Sequence, residues 1–192
     1  MNKERLEAFS DGLFSVVITI MVLELRLPVW ENSWASLGNM LPMFLTYVLS
    51  FVYGAIFWIN HHYLLAATMR VNSVILWANL NFLFWLTLMP FFTAWLDENH
   101  AASVPVAAYG GLLLVVILSY RLLEHVLFKA HHGNALIVRT LRQGRRERAS
   151  IIALIIAIIL AFSFPYAAAA IYVGVAIMWV LPDRELEEAL ND

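Results

Sequence analysis

Long stretches without a single formal charge constrain this chain more than any other feature. They run from Asn32 to Met69, from Val71 to Leu96 and from Ala149 to Leu181, and Val104 to Phe128 carries charge only near its end, at Arg121 and Glu124. A bilayer core of about 30 Å is crossed by roughly 20 apolar residues, so runs of this length read as membrane spans. The composition agrees, at 62% hydrophobic and 14% charged with a mean hydropathy of +0.76, where a soluble domain is about half apolar and a quarter charged. Cysteine is absent, which excludes disulfides and thiolate metal sites. Acids as well as bases precede the first apolar run and no small-residue cleavage site follows it, so the reading is that Met1 onward is retained rather than removed as a signal.

The expected fold is an all-α integral membrane domain of six helices, at about residues 5–27, 37–67, 72–96, 104–128, 149–164 and 166–181, forming a single unit over 1–192. Pro42 falls near the start of the second helix and Pro105 in the first turn of the fourth, where a missing N–H costs little. Pro90 predicts a kink near the end of the third. The 33 residues from Ala149 to Leu181 are too many for one span and few for two, and Ser163 to Tyr166, reading SFPY, is the natural break. Trp30 and Trp34 suit an interfacial loop. Lys129 to Arg148 is a polar loop with some interfacial helix.

Six crossings put both termini on one side of the membrane. Eleven of the 12 Lys and Arg residues then fall on that side, and only Arg26 on the other. The positive-inside rule makes it the cytoplasmic side of a multi-pass protein in the cell (inner) membrane. No internal repeat supports an inverted-repeat transporter.

The first helix is unusual. Its charge-free run, Gly12 to Leu23, has only 12 residues, about 18 Å of helix. If it crosses, Asp11 or Glu24 lies near membrane depth and needs protein or water beside it. Arg5 is a possible partner for Asp11. Gly12, Val16, Thr19 and Leu23 recur at four, three and four residues, one face of a helix. Such a stripe either lines a narrow pore or packs on neighbouring helices, as small residues and threonine often do.

Trp58, Asn60, His61 and His62 end the second helix at the depth of Asp11. Adjacent histidines point about 100° apart on a helix, and no carboxylate sits four residues away, so a metal site is disfavoured. His131 and His132 read as surface residues. Asn79 and Asn81 read as interhelical glue, and the basic run Arg139 to Arg148 as a topology determinant in contact with anionic lipid. That run lacks the aromatic interleaving of a nucleic-acid site. No phosphate loop, nucleophile elbow or HExxH is present, so nothing supports an enzyme or a catalytic residue.

Arg5 to Gly12 reads R-x-x-x-F-S-D-G, and it resembles the motif that opens the first helix of the endosomal and lysosomal potassium channel family and its bacterial relatives. F-W-I-N-H-H at Phe57 to His62, and N-L-N-F-L with a later L-M-P-F between Asn79 and Phe91, resemble that family's second and third helices. The resemblance covers most of the first hundred residues.

It implies a potassium channel without a T-V-G-Y-G filter, which this sequence lacks, and, for a one-repeat chain, a homotetramer whose four first helices surround the pore. The family's apolar constriction then falls on Val16, one methylene shorter than its usual isoleucine or leucine, its pore threonine on Thr19, and its second apolar layer on Leu23. Arg5, Phe9, Ser10 and Asp11 correspond to the motif that braces the helix base, with His61, His62 and Asn79 as partners. No cofactor is implied, and permeant K+ at Thr19 is the only metal ion. Hydroxyls can replace part of the ion's hydration, apolar rings gate by dewetting, and a ring of Glu24 near the outer mouth concentrates cations. The alternatives are a small proton- or cation-coupled carrier using Asp11, His61 and His62, and an assembly protein with no transport.

Overall fold

The structure, a computed structural model, describes residues 2–25, 34–68, 70–99, 102–130 and 144–180. Among these every regular element is helical: α1 Lys3–Leu23, α2 Trp34–Asn39, α3 Leu41–Ala66, α4 Ser73–Thr87, α5 Met89–Glu98, α6 Ser103–Ala130, α7 Gly144–Ala161 and α8 Pro165–Val180. Four segments are long and apolar enough to cross a membrane: α1, α3, α4 with α5 as one rod, and α6. The C-terminal α7 and α8 are shorter. The stretches containing Trp30, His131, His132, Arg139 and Arg142 lie outside the described residues.

Prolines set the breaks. The expected second helix, 37–67, is divided at Met40, and Pro42 sits in the first turn of α3. Its ring nitrogen cannot donate to the carbonyl of Gly38, so a continuous helix would lose a bond and meet a clash there. The Pro90 break falls at Leu88, with Pro90 again in a first turn. The last break lies at Phe162–Phe164, and Pro165 opens α8. Helix α7 starts at Gly144, five residues before the expected 149, because Arg146 to Arg148 are already helical. Side chains close helix ends: Asn72 accepts from the Ile75 N–H at 2.9 Å at the start of α4, Asn99 Nδ2 donates to the Trp95 carbonyl at 2.9 Å at the end of α5, and Lys3 Nζ donates to the Ala66 carbonyl at 2.8 Å at the end of α3. The lysine contact places a cation where the helix dipole favours it.

The bundle is centred on α6, which packs against α4, α5, α7 and α8, while α1 packs on α3, α4 and α5. Phe82 of α4 lies at the middle, fully buried. Around it stand Phe14, Phe57, His61 and Tyr120, with ring centroids 5.5–6.1 Å away. A second knot joins α3, α5, α6 and α8 through hydroxyls. Thr93 Oγ1 lies 2.7 Å from the Met89 carbonyl oxygen and 2.8 Å from Ser50 Oγ, which in turn lies 3.0 Å from the Tyr109 hydroxyl. Tyr53 donates to the Tyr172 carbonyl at 2.7 Å, and Tyr172 to the Val106 carbonyl at 3.0 Å. The hydroxyl end of the Tyr172 ring lies against Gly110, where a Cβ would come within 2.7 Å of its Cζ. Glycine is what lets α6 and α8 meet this closely.

Candidate functional site

Helix α1 has two unlike faces. The inner one carries Leu6, Ser10, Phe14, Val17 and Met21, all buried in the bundle. The outer one carries Gly12, Ser15, Val16, Thr19 and Leu23, all exposed, with Val16 at 52% and Leu23 at 69%. At 100° per residue the centre of the Gly12–Val16–Thr19–Leu23 stripe lies about 150° from the centre of the buried set. Among the described residues, no helix of the same subunit covers the stripe. A Cβ added at Gly12 would meet nothing within 4 Å.

The outer face also differs in chemistry from that of α7. Helix α7 exposes Ile152, Ile155, Ile156 and Ile159, an unbroken aliphatic surface suited to lipid. Helix α1 interleaves its apolar residues with hydroxyls. Ser15 Oγ donates to the Asp11 carbonyl at 3.0 Å and Thr19 Oγ1 to the Ser15 carbonyl at 2.8 Å. Bonding back satisfies each hydroxyl hydrogen within the helix and leaves the oxygen's lone pairs on the outer side.

The inner face is fixed by a polar contact at one end of the bundle. Asn79 of α4, fully buried, donates through Nδ2 to Ser10 Oγ at 3.0 Å, and Ser10 donates to the Leu6 carbonyl at 2.8 Å. On its other side the Asn79 Oδ1 accepts from His61 Nε2 at 2.7 Å. Because Oδ1 can only accept, this bond fixes the proton on Nε2 in neutral His61. The ring stacks on Phe82 and tilts against Phe14, each centroid 5.5 Å away. Its Nδ1 is buried with no hydrogen-bond partner among the described residues. Three helices are thus joined through one amide.

Asp11 is half-buried and accepts from the Trp58 indole N–H at 3.0 Å. His62 is exposed, with its ring centroid 6.0 Å from that of Trp58. The network expected from the motif is therefore assembled in part. Ser10, Asn79 and His61 meet, Asp11 is held by Trp58, and no hydrogen bond among the described residues joins Asp11 to either histidine. Arg5 does not pair with Asp11. It is exposed, and a six-residue separation places it about 120° around the helix from Asp11. Phe9 is likewise outside the network, at 50% exposure. Glu24 is half-buried in a cleft between α1, α4 and α5 with Thr87, Trp95 and Glu98, at the end of α1 that carries Leu23. Sequence reasoning placed Trp58 at the depth of Asp11 as one of four groups able to meet it, and Trp58 is the one that bonds to it. The signal was an indole at the same level as a carboxylate that the apolar run could not solvate.

A sequence profile described as "Endosomal/lysosomal potassium channel TMEM175" matches residues 5–90, which include the polar contact and the whole outer stripe. A potassium channel of a Chryseobacterium species is 44% identical over 192 residues, covering 100% of both chains. The chain belongs to the TMEM175 channel family. It is a multi-pass membrane protein and a cation channel, not an enzyme. Within the family, the crystal structure of a lysosomal potassium-selective channel TMEM175 homolog from Chamaesiphon minutus matches with a TM-score of 0.80 at 26% identity, over 92% of this chain and 95% of that one. The endosomal/lysosomal proton channel TMEM175 of Bos taurus is 36% identical over 84 residues, 38% of this chain and 18% of its own.

Proposed function

We propose that four copies of this chain enclose a potassium-permeable pathway, with the outer faces of the four α1 helices turned toward a common axis. The observation that carries this reading is the exposed stripe of Gly12, Val16, Thr19 and Leu23, which includes a hydroxyl where α7 over 151–160 exposes only isoleucines. In lipid a Thr19 oxygen would have no partner beyond its own helix. Around an axis, four such oxygens present their lone pairs to a cation and replace part of its hydration shell. Rings of Val16 and Leu23 on either side are narrow and apolar, and they gate by dewetting. Hydroxyl oxygens are weaker ligands than stacked carbonyls, so selectivity for K+ over Na+ is modest and the conductance leak-like. Permeant K+ is the only ion required, with no cofactor.

In this reading α7 and α8 complete six crossings, both termini are cytoplasmic, and the protein sits in the bacterial inner membrane with the Ser10–Asn79–His61 contact near its cytoplasmic face. The experiment is single-channel recording of the purified chain in planar bilayers, together with mass measurement of the complex in detergent. Thr19→Ala is expected to lower the K+/Na+ permeability ratio, and Val16→Asn to raise open conductance by wetting the constriction. Unchanged reversal potential and conductance in both variants, or a complex of one copy, would overturn the assignment.

A further inference from the structure

Helices α6 and α7 run side by side in a regular antiparallel register. Arg121 Nε lies 3.5 Å from Glu147 Oε2, and a Cβ at Gly110 would lie 3.0 Å from Ile158 Cγ1, so the two meeting points are equally spaced on both helices. Helix α8 closes one side of this pair: Tyr172 donates to the Val106 carbonyl of α6 at 3.0 Å, and Trp179 donates to Ser150 Oγ of α7 at 2.9 Å. On the other side no described helix lies over the groove between them. Leu118, His125 and Lys129 of α6 are exposed there and fall within about 20° of one line along the helix, from which Val106 is about 120° away. On α7 the exposed Arg148 and Ile155 lie about 100° and 80° round from Glu147, in the direction opposite to Ser150. Arg121, with a side chain 40% exposed, sits between the two sets.

We propose that this groove binds one anionic phospholipid, its phosphodiester held by Arg121, His125, Lys129 and Arg148 and an acyl chain laid along Leu118 and Ile155. Helix α6 has 28 residues, about 42 Å of helix against a hydrocarbon core of about 30 Å, and the cations of its last turns set that end at headgroup level. The acids of α6 and α7, Glu124 and Glu147, are both buried, so the outward surface here carries cations with no exposed carboxylate beside them. Arg121 answers Glu147 through Nε and has four further N–H groups. Arg146 has a partner of its own and lies about 160° around α7 from Arg148. Arg148 Nε donates to the Gly144 carbonyl at 2.9 Å, which draws its side chain toward the start of α7, where the helix dipole also favours an anion. One to two turns further into the membrane the walls are aliphatic, with Leu118 and Ile155 both exposed. The site takes from the basic run Arg139 to Arg148 only its last member, and it needs α6 to cross the bilayer but not four copies around a pore.

The test uses the full chain purified in detergent, with native mass spectra recorded against phosphatidylglycerol and, separately, phosphatidylcholine. Phosphatidylglycerol should bind once per subunit and roughly tenfold more tightly than phosphatidylcholine, or better, since each cation near an anionic headgroup is worth roughly fivefold. Lys129→Gln and Arg148→Gln should each weaken phosphatidylglycerol roughly fivefold and leave phosphatidylcholine unchanged, while Lys129→Arg and Arg148→Lys should bind as the wild type does. A phosphatidylglycerol carrying a diazirine midway along one acyl chain should label residues 114–118 or 151–158 on irradiation. Glycerol 3-phosphate, which offers the headgroup chemistry without the chains, should not displace the lipid when added in equal amount. The wild-type spectra and the labelling need no variant. Equal affinity for the two lipids, glutamine variants that bind as the wild type does, arginine and lysine exchanges as weak as the glutamine variants, label confined to other helices, or displacement by glycerol 3-phosphate would each overturn the proposal.

Discussion

Asn79 is the residue whose removal most directly tests how α1 is held. Asn79→Ala deletes one bond to Ser10 and one to His61. Between membrane helices such bonds are worth about 0.6 kcal/mol on average and about 1.7 at most, so the two together account for about 1–3 kcal/mol. The consequences for the partners differ. Ser10 keeps its bond to the Leu6 carbonyl, whereas the His61 Nε2–H is left buried beside an Nδ1 that already lacks a partner. A stranded buried donor costs about 1–3 kcal/mol. The expected destabilisation is therefore about 3 kcal/mol for Asn79→Ala and about 1–3 for Ser10→Ala, which removes one bond and strands the buried Asn79 Nδ2. Pairing Asn79→Leu with His61→Phe tests the mechanism. Phenylalanine can occupy the slot between Phe14 and Phe82, and replacing both polar partners by apolar groups can be nearly neutral. The double variant should lose about 1–2 kcal/mol less than the sum of the single variants. Thermal and denaturant unfolding of the detergent-solubilised protein measures each value. If Asn79→Ala costs less than about 1 kcal/mol, or the double variant is additive, the amide is not what holds α1 to α3 and α4.

Two further substitutions probe other contacts by the same assay. Gly110→Ala drives a methyl into the Tyr172 ring and displaces its bond to Val106, and should cost about 1–3 kcal/mol as overpacking, whereas Gly111→Ala on the next position, where a Cβ meets nothing within 4 Å, should be neutral or slightly stabilising. Trp58→Phe keeps the ring but removes the N–H that reaches Asp11, and a loss of about 1 kcal/mol is expected, below the usual value for a bond to a charged group because both residues are partly solvated. An unchanged melting temperature in Trp58→Phe would show that water, not the indole, satisfies the carboxylate.

The outline of the bundle was legible because its signals are strong ones. Charge-free runs bounded by Arg70, Asp97 and Arg121 mark the long helices, and Pro42, Pro90 and Pro165 mark where helices restart. Less was legible at single-residue scale. A proline in the first turn says that a helix begins there, but not that the residues before it form another, as Trp34–Asn39 do. Nor does a motif state which of its members touch. Arg5 and Asp11 are matched together in sequence yet project from different sides of the helix, and the donor that Asp11 uses is an indole two turns from the end of another helix. Arg121 and Glu147 were visible only as ordinary charges near a helix end and in a basic run. Their approach to 3.5 Å depends on the α6–α7 crossing, which no local pattern encodes.

Helical geometry links the polar contact to the stripe. Ser10 and Asp11 are adjacent, so they lie about 100° apart around α1, and each is held by a different helix, Ser10 by α4 and Asp11 by α3. Two attachments at different angles fix the rotation of a rod about its own axis, which one attachment cannot do. Nine residues separate Ser10 from Thr19, which at 100° per residue puts them about 180° apart. Holding Ser10 against the bundle therefore turns Thr19 outward, and a slip of one residue at Ser10 would rotate Thr19 by about 100°, off that face. In this respect the motif at the start of α1 acts as a rotational key for the residues two and three turns further along, and it does so without itself lying on the face they form.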